Sequence, residues 1–205
     1  MKTNTNKRLT VAVTGASGAL YAVRLLRYLM MHEYEVDFIV SDAGKITFKV
    51  EMDADLGKED ISDFLKNRYG ASVMKGRIKT YPNDSISAPM ASGSGRRLGM
   101  VIVPCSMKTM SAVAHGASGN LIERSADVVL KERFPLIVVP RETPMNSIQI
   151  GNMLKLSQAG AMIVPAMPAF YQQPKSLDDL ADFIAGRVLN LLGIEGHDLF
   201  KDWGN

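Results

Sequence analysis

The chain has 205 residues and a formal net charge of +3, which suits anionic small ligands and does not favour nucleic acid. Its single cysteine, Cys105, excludes an internal disulfide and favours a reducing compartment, so we expect a cytoplasmic protein. Residues 1–8 are too polar for a signal peptide, and no apolar run approaches the roughly 20 residues of a membrane span. The length fits one domain, residues 1–205, with a full core.

The first predicted unit is a strand, a glycine turn and a helix. Residues 9–13 form an apolar run with the length and β-branched content of a strand buried on both faces. The run stops at TGASG, residues 14–18, and from Ala19 the apolar residues follow helical spacing. Such a unit presents backbone N–H groups to a phosphate, although the same residues also form a tight turn without a ligand.

Strands and helices alternate along the rest of the chain. Further strands are predicted at residues 35–40, 73–81, 98–104, 134–139 and 161–164. Helices are predicted at 61–69 and 148–159, after the polar residues 106–109, and after the caps Asn120 and Ser176. Residues 41–57 are interpreted as a short helix or ordered loop, and residues 82–97 as loop. The alternation predicts an α/β fold with a mostly parallel sheet covered on both sides.

Polar residues follow these strands at the edge where ligands of parallel sheets bind. They lie at residues 15–18, 41, 106–109, 141–142 and 170–171. The hydroxyls and lysine of residues 106–109 suit a phosphate or a flavin edge, and otherwise form a serine cap beside a solvated lysine. Arg141 suits a phosphate and Glu142 suits proton transfer, with a surface ion pair as the alternative.

Two other kinds of site are disfavoured by the residues. The TGASG turn also resembles the opening of short-chain dehydrogenases, which need a tyrosine and a lysine four positions apart on a helix. Here the pair is Tyr171 and Lys175, and Pro174 between them would break that helix. The histidines show no metal-ligand spacing, so no metal is predicted. Cys105 is interpreted as a packed thiol.

Taken together, these segments resemble the UbiX-type flavin prenyltransferases. The matching segments span nearly the whole chain in order: TGASGA (14–19), SDA (41–43), SGS (92–94), VIVPCSMKT (101–109), RSADVVLKE (124–132), VPRETP (139–144), PAFY (168–171) and SLDDL (176–180). The chain departs from the family at Gly95, where an aromatic residue is usual.

The resemblance implies a three-layer, flavodoxin-like or Rossmann-like fold and a homo-oligomer, a dodecamer. It implies transfer of a dimethylallyl group from dimethylallyl monophosphate to N5 and C6 of reduced FMN, without a metal. The prenylated FMN would then serve a UbiD-type decarboxylase, as in ubiquinone biosynthesis.

The resemblance also implies roles for individual residues. FMN would be held by Gly15, Ala16, Ser17, Ser41, Ser106, Met107, Lys108, Thr109 and Arg141. The prenyl donor would be held by Tyr171 and Arg187, with Trp203 in the pocket wall and with Arg124 and Lys131 reaching its phosphate from a neighbouring subunit. Glu142 would be the acid/base, supported by Glu51 and by Ser17, whose hydroxyl is expected at flavin N5.

Two alternatives stay open at this point. The first is an FMN-dependent cysteine-type decarboxylase of the same superfamily, which usually carries a PASANT segment and a histidine base. This chain has PCSMKT at residues 104–109, and no histidine lies between His32 and His115. The second alternative is an FMN-binding carrier without catalysis, which Gly95 favours.

Overall fold

The computed structural model describes residues 7–95 and 97–201, which form a six-stranded sheet with helices on both faces. The strands are β1 Arg8–Val13, β2 Glu35–Val40, β3 Arg77–Tyr81, β4 Met100–Cys105, β5 Leu136–Pro140 and β6 Met162–Ile163. The α-helices are α1 Ala19–Met31, α2 Asp42–Met52, α3 Ile61–Tyr69, α4 Met107–Ala114, α5 Leu121–Lys131, α6 Ser147–Gln158 and α7 Leu177–Leu191.

The strands run in the order β3-β2-β1-β4-β5-β6, and every described pairing is parallel. The prediction of a mostly parallel sheet is therefore confirmed. The chain winds outward from β1 in one direction and from β4 in the other, so the order reverses between these two strands. A crevice opens at such a reversal, beyond the carboxyl ends of the strands, and ligands of doubly wound sheets bind there.

Alternate residues of each strand point into the two faces of the sheet, since successive side chains of a strand point in opposite directions. Val11 and Val13 of β1 pack into the core that contains α1 and α7. Ala12 packs into the second core, which contains α4 and α5. These two cores give the three-layer arrangement, and they separate the elements on the two faces.

A buried ion pair holds α7 against α1. Arg24 donates to both carboxylate oxygens of Asp182, each at 2.6 Å, and to Asp178 at 2.8 Å. Ser176 starts α7 as its N-cap, and its hydroxyl accepts from Asp179 N. The position of α7 is therefore fixed at its first turn and along one face.

Most element bounds agree with the predictions within about two residues, and two elements differ by more. Residues 42–52 form a helix because the Ser41 hydroxyl accepts from Gly44 N and caps it. The third strand is shorter than predicted, Arg77–Tyr81, because a three-residue 3₁₀ turn at Ala71–Val73 precedes it. No helix of the described chain is long and apolar enough to cross a membrane.

Candidate functional site

The ends of β1 and β4 are joined through Thr14. Its hydroxyl donates to Pro104 O at 2.9 Å and accepts from Ser106 N at 2.7 Å. Gly15 follows, and a Cβ at this position would lie 2.5 Å from the Cβ of Ala43 in α2. The turn after β1 is therefore held between the starts of α2 and α4, and glycine is required for the close approach.

The amino-terminal end of α1 is occupied by the carboxylate of Glu51. This carboxylate accepts from Gly18 N, at 2.9 and 3.1 Å to its two oxygens, and from Ala19 N at 2.8 Å. We expected the N–H groups of residues 15–18 to be available to a phosphate, and that expectation is wrong for Gly18. Glu51 therefore acts on the backbone of the turn, and no described hydrogen bond joins it to the Ser17 hydroxyl.

Arg141 reaches the same turn from the end of β5. Its Nε donates to the backbone oxygen of Ser17 at 3.2 Å. The ring of Tyr21 lies over Gly18. Burial raises the pKa of Tyr21, and the charge of Glu51 adds to the rise while that of Arg141 opposes it. Sequence reasoning missed Tyr21, because a tyrosine in the first turn of an amphipathic helix gives no signal of its own.

A cavity of about 180 Å³ lies beside this turn, where α2, α4 and α5 begin. It is lined by Gly15, Ser41, Asp42, Ala43, Asn83, Ser106, Lys108, Thr109, Asn120, Ile122 and Glu123. Of the residues predicted to hold FMN, the structure thus gathers five around one cavity, although they come from three separate segments.

Two helices begin at the cavity with backbone donors that are not filled. Ser41 caps α2 and Ser106 caps α4, and each hydroxyl satisfies one N–H, of Gly44 and Thr109 respectively. Within the described chain, the first two N–H groups of α2 and of α4 have no hydrogen-bond partner. With the positive ends of the helix dipoles and the exposed amine of Lys108, they form a site for an anion.

The third helix at the cavity, α5, begins with its donors already satisfied. Asn120 caps it by accepting from Glu123 N at 3.0 Å. Asn83 accepts from Leu121 N with its backbone oxygen, at 2.7 Å, and from Ile122 N with Oδ1, at 3.1 Å. Asn83 was missed from the sequence because residues 82–97 carry only turn signals.

Glu142 follows Arg141 at the end of β5 and is half-buried. Its Oε1 accepts from Thr143 N at 3.0 Å. One carboxylate oxygen is therefore fixed by the adjacent backbone, and Oε2 has no hydrogen-bond partner in the described chain. A carboxylate held in this way at the rim can exchange a proton with a bound molecule.

Aromatic residues lie where the segment after β6 meets α7. The Tyr171 and Phe183 rings pack edge to face, with centroids 6.2 Å apart, and Phe200 lies 5.2 Å from Phe183. Arg187 lies one helical turn after Phe183, exposed to solvent. Trp203, which was predicted in the same pocket wall, lies outside the described residues.

Arg124 and Lys131 lie apart from this aromatic cluster. They belong to α5, which packs on the opposite face of the sheet from α7. Arg124 donates to Asp127 at 2.7 Å and to Ala91 O at 3.2 Å, and Lys131 pairs with Glu132. One chain therefore does not bring these cations next to Arg187.

The Cys105 side chain is fully buried at the end of β4. Burial raises the pKa of its thiol to about 12, which agrees with its interpretation as a packed thiol. Within residues 7–95 and 97–201, no three His, Cys, Asp or Glu side chains form a group that could hold a metal ion.

Comparison with known proteins places these features in a family. A model of the Flavoprotein family matches residues 1–189. The flavin prenyltransferase UbiX of Pseudomonas aeruginosa is 50% identical over 200 residues, which cover 97% of this chain and 94% of that protein. A crystal structure of AnUbiX (PadA1) in complex with FMN and dimethylallyl pyrophosphate has a TM-score of 0.85 and 36% identity, covering 98% of each chain.

A dodecameric FMN-dependent UbiX-like decarboxylase from Escherichia coli O157:H7 has a TM-score of 0.79 and 36% identity, covering 92% of this chain and 96% of that chain. The chain belongs to the Flavoprotein family and, within it, to the UbiX-type flavin prenyltransferases.

Proposed function

We propose that this chain is a flavin prenyltransferase, which transfers a dimethylallyl group to N5 and C6 of reduced FMN. The observation that carries the proposal is the arrangement at the crevice between β1 and β4. There, a cavity with unfilled helix donors lies beside a turn that Arg141 contacts through Ser17 O. This arrangement offers a place for an anionic cofactor and a rim of charged groups next to it.

The chemistry of the donors fits FMN. A cavity of about 180 Å³ is smaller than the roughly 300 Å³ or more of a pocket that encloses a whole small-molecule ligand. It therefore suits the phosphate end of FMN, a dianion that the α2 and α4 N-termini and Lys108 would neutralise. Residues 15–17 and Arg141 would hold the FMN ring system.

When bound, reduced FMN supplies the electron-rich ring that accepts the dimethylallyl group. The chain's own residues have three tasks around it. Arg187, Arg124 and Lys131 stabilise the negative charge of the departing phosphate. Tyr171 contributes an aromatic wall that excludes water from the allylic group, since water would hydrolyse it. Glu142, with an oxygen not held by the backbone, gives and accepts protons as the acid/base.

The prenyl donor site needs more than one copy of the chain. Arg124 and Lys131 lie on the opposite face of the sheet from α7, so a neighbouring copy must bring them to Arg187. An apolar surface suited to such assembly is exposed on α6, where Ile148, Ile150 and Leu154 are 73%, 53% and 59% exposed. We therefore propose a homo-oligomer, a dodecamer like the E. coli neighbour.

Mixed oligomers test this shared site. Arg187→Ala and Lys131→Ala chains should each be inactive alone. After random mixing of equal amounts, about a quarter of the sites should carry both native residues and recover activity. The masses of the oligomers verify that the two kinds of chain have mixed. If the mixed oligomers are as inactive as either variant alone, both residues act from one chain.

Mass spectrometry of the flavin tests the transferase activity itself. The protein is mixed with reduced FMN and dimethylallyl monophosphate without oxygen, and the mass of the extracted flavin is measured. We expect a flavin heavier by one dimethylallyl-derived unit. A parallel reaction with the diphosphate tests the proposal that the monophosphate is the donor. Unmodified FMN with both donors would refute the transferase and favour the carrier.

The Glu142→Gln variant tests the acid/base. It keeps the size and the acceptor for Thr143 N but cannot give and accept a proton at the same atom. We expect FMN affinity to be unchanged and prenylation to be slowed by about 10²-fold or more. Unchanged turnover would remove Glu142 from the mechanism.

We further propose that the product is used by a UbiD-type decarboxylase and that the protein is cytoplasmic and forms one domain over residues 1–205. The resemblance supports the first point, and the single buried cysteine supports a reducing compartment. Activation of a UbiD-type apo-decarboxylase by the extracted product, and not by FMN, would test the first point.

A further inference from the structure

Asn83 lines the cavity beside the starts of α2 and α4, and its carboxamide is held in a defined orientation. Its Oδ1 accepts from Ile122 N at 3.1 Å, and its backbone oxygen accepts from Leu121 N at 2.7 Å. These contacts connect the loop after β3 to the first turn of α5. Because Oδ1 is directed at the helix, the amide nitrogen of the same group is directed elsewhere.

The amide nitrogen of Asn83 has no hydrogen-bond partner in the described chain. Three other polar side chains of the cavity are already engaged with their own segments. The Ser41 and Ser106 hydroxyls cap α2 and α4. The Glu123 carboxylate accepts from Gly119 N at 2.9 Å and from Asn120 Nδ2 at 2.7 Å.

Asp42, the other acidic residue of the cavity, is exposed and pairs with Lys45 at 3.0 Å. The donors left for a ligand are therefore the free N–H groups of α2 and α4, Lys108, the Asn83 amide and the hydroxyl of Thr109, whose oxygen accepts from Ser106 Oγ. All of them are donors, which suits a phosphate and not a neutral or cationic group.

We propose that Asn83 binds the phosphate of FMN through its carboxamide N–H while its Oδ1 holds the start of α5. This inference rests on the proposed function, because it takes FMN as the ligand of the cavity. Asn83 is then a binding residue for the cofactor, and it connects cofactor binding to the position of α5, which carries Arg124 and Lys131.

The Asn83→Asp variant separates the two roles of the side chain. It keeps an oxygen for Ile122 N, and a carboxylate near the start of α5 is compatible with the helix dipole. It replaces the N–H donor by a second anionic oxygen, which repels a phosphate. The folded protein without flavin should therefore melt at the wild-type temperature or above it, while its affinity for FMN falls by about tenfold or more.

The comparison with riboflavin makes the test specific, because riboflavin lacks the phosphate. Binding of FMN and riboflavin to the full-length protein freed of flavin is measured by quenching of flavin fluorescence. In Asn83→Asp, the preference for FMN over riboflavin should fall by about tenfold or more while riboflavin affinity stays unchanged. The control Asn67→Asp places the same charge on the exposed side of α3 and should change neither affinity.

The inference is overturned if Asn83→Asp keeps the wild-type preference for FMN within about twofold. If that variant does not fold, Asn83→Ala serves, since the ratio of the two affinities cancels a general loss of folded protein. Failure of the proposed function is a different result, in which the wild type neither prefers FMN to riboflavin nor prenylates it. Wild-type activity with an unchanged ratio in the variants refutes the Asn83 inference alone.

Discussion

Replacing Arg24 by methionine should destabilise the protein through the contact between α1 and α7. The side chains of Arg24 and Asp182 are only 10% and 13% exposed and share two hydrogen bonds of 2.6 Å. Burial alone would lower the pKa of Arg24, but the hydrogen bond and charge of Asp182 raise it, so Arg24 stays charged. Removing one partner of such a pair leaves a buried charge and costs about 3–5 kcal/mol.

The second partner, Asp178, should add little to this loss. Its side chain is 38% exposed, and Arg68 lies 3.9 Å away as another counterion, so its contribution is that of a surface ion pair. The magnitude is measured by urea unfolding of the flavin-free protein, followed by circular dichroism at one fixed protein concentration. The double variant Arg24→Met and Asp182→Leu removes both charges and should recover most of the lost stability.

The same variant has a functional readout. α7 carries Arg187, whereas the cavity is lined from α2, α4, α5 and the loop after β3. We therefore expect Arg24→Met to raise the KM for the prenyl donor with little change in FMN affinity. A loss of less than about 1 kcal/mol, or a double variant as unstable as the single one, would refute the buried-pair reasoning.

Four further results are expected. Burial raises the pKa of the Cys105 thiol to about 12, so a thiol reagent at pH 8 should detect no thiol until the protein is unfolded. The unfolded thiol ionises near its ordinary value of 9.0, so wild type should lose up to about 1.4 kcal/mol per pH unit as the pH rises from 9 towards 12, relative to Cys105→Ala. Gly15→Ala, whose Cβ would lie 2.5 Å from that of Ala43, should weaken FMN binding, and adding Ala43→Gly should restore it. Gln172 holds Lys201 by two backbone hydrogen bonds, of 2.8 and 3.2 Å, so Gln172→Ala should speed proteolysis at the carboxyl terminus without changing FMN affinity.

Local patterns in the sequence predicted most of the elements because the causes are local. The bounds of β2 and α3 are those predicted, and the caps Ser106, Asn120 and Ser176 all accept a backbone N–H in the first turn. A helix cap and the periodic apolar residues that follow it lie within a few residues of each other, so both can be recognised in the sequence. The alternation of elements then predicted the parallel sheet.

The contacts that build the site connect residues far apart in the chain, and the sequence did not predict these contacts. Glu51 fills the start of α1 from 33 positions away, and Asn83 reaches α5 across 39 positions. A glycine turn before a helix predicts an anion site, but whether its donors are free depends on such distant side chains. This is why the Gly18 N–H of the predicted turn is filled, whereas unfilled donors also lie at the starts of α2 and α4.

The proposed reaction involves two phosphates, that of FMN and that of the prenyl donor, and different groups would bind each of them. The cavity proposed for the FMN phosphate is built by one chain, from backbone N–H groups whose positions are set by the sheet. In the proposed mechanism the donor phosphate instead depends on exposed Arg187 and on cations that lie across the sheet, so its site would be complete only between copies. Charges that stabilise a leaving phosphate act strongly only where water is excluded. Assembly would therefore supply both the missing cations and the dry surroundings, and it would confine cleavage of the donor to the oligomer.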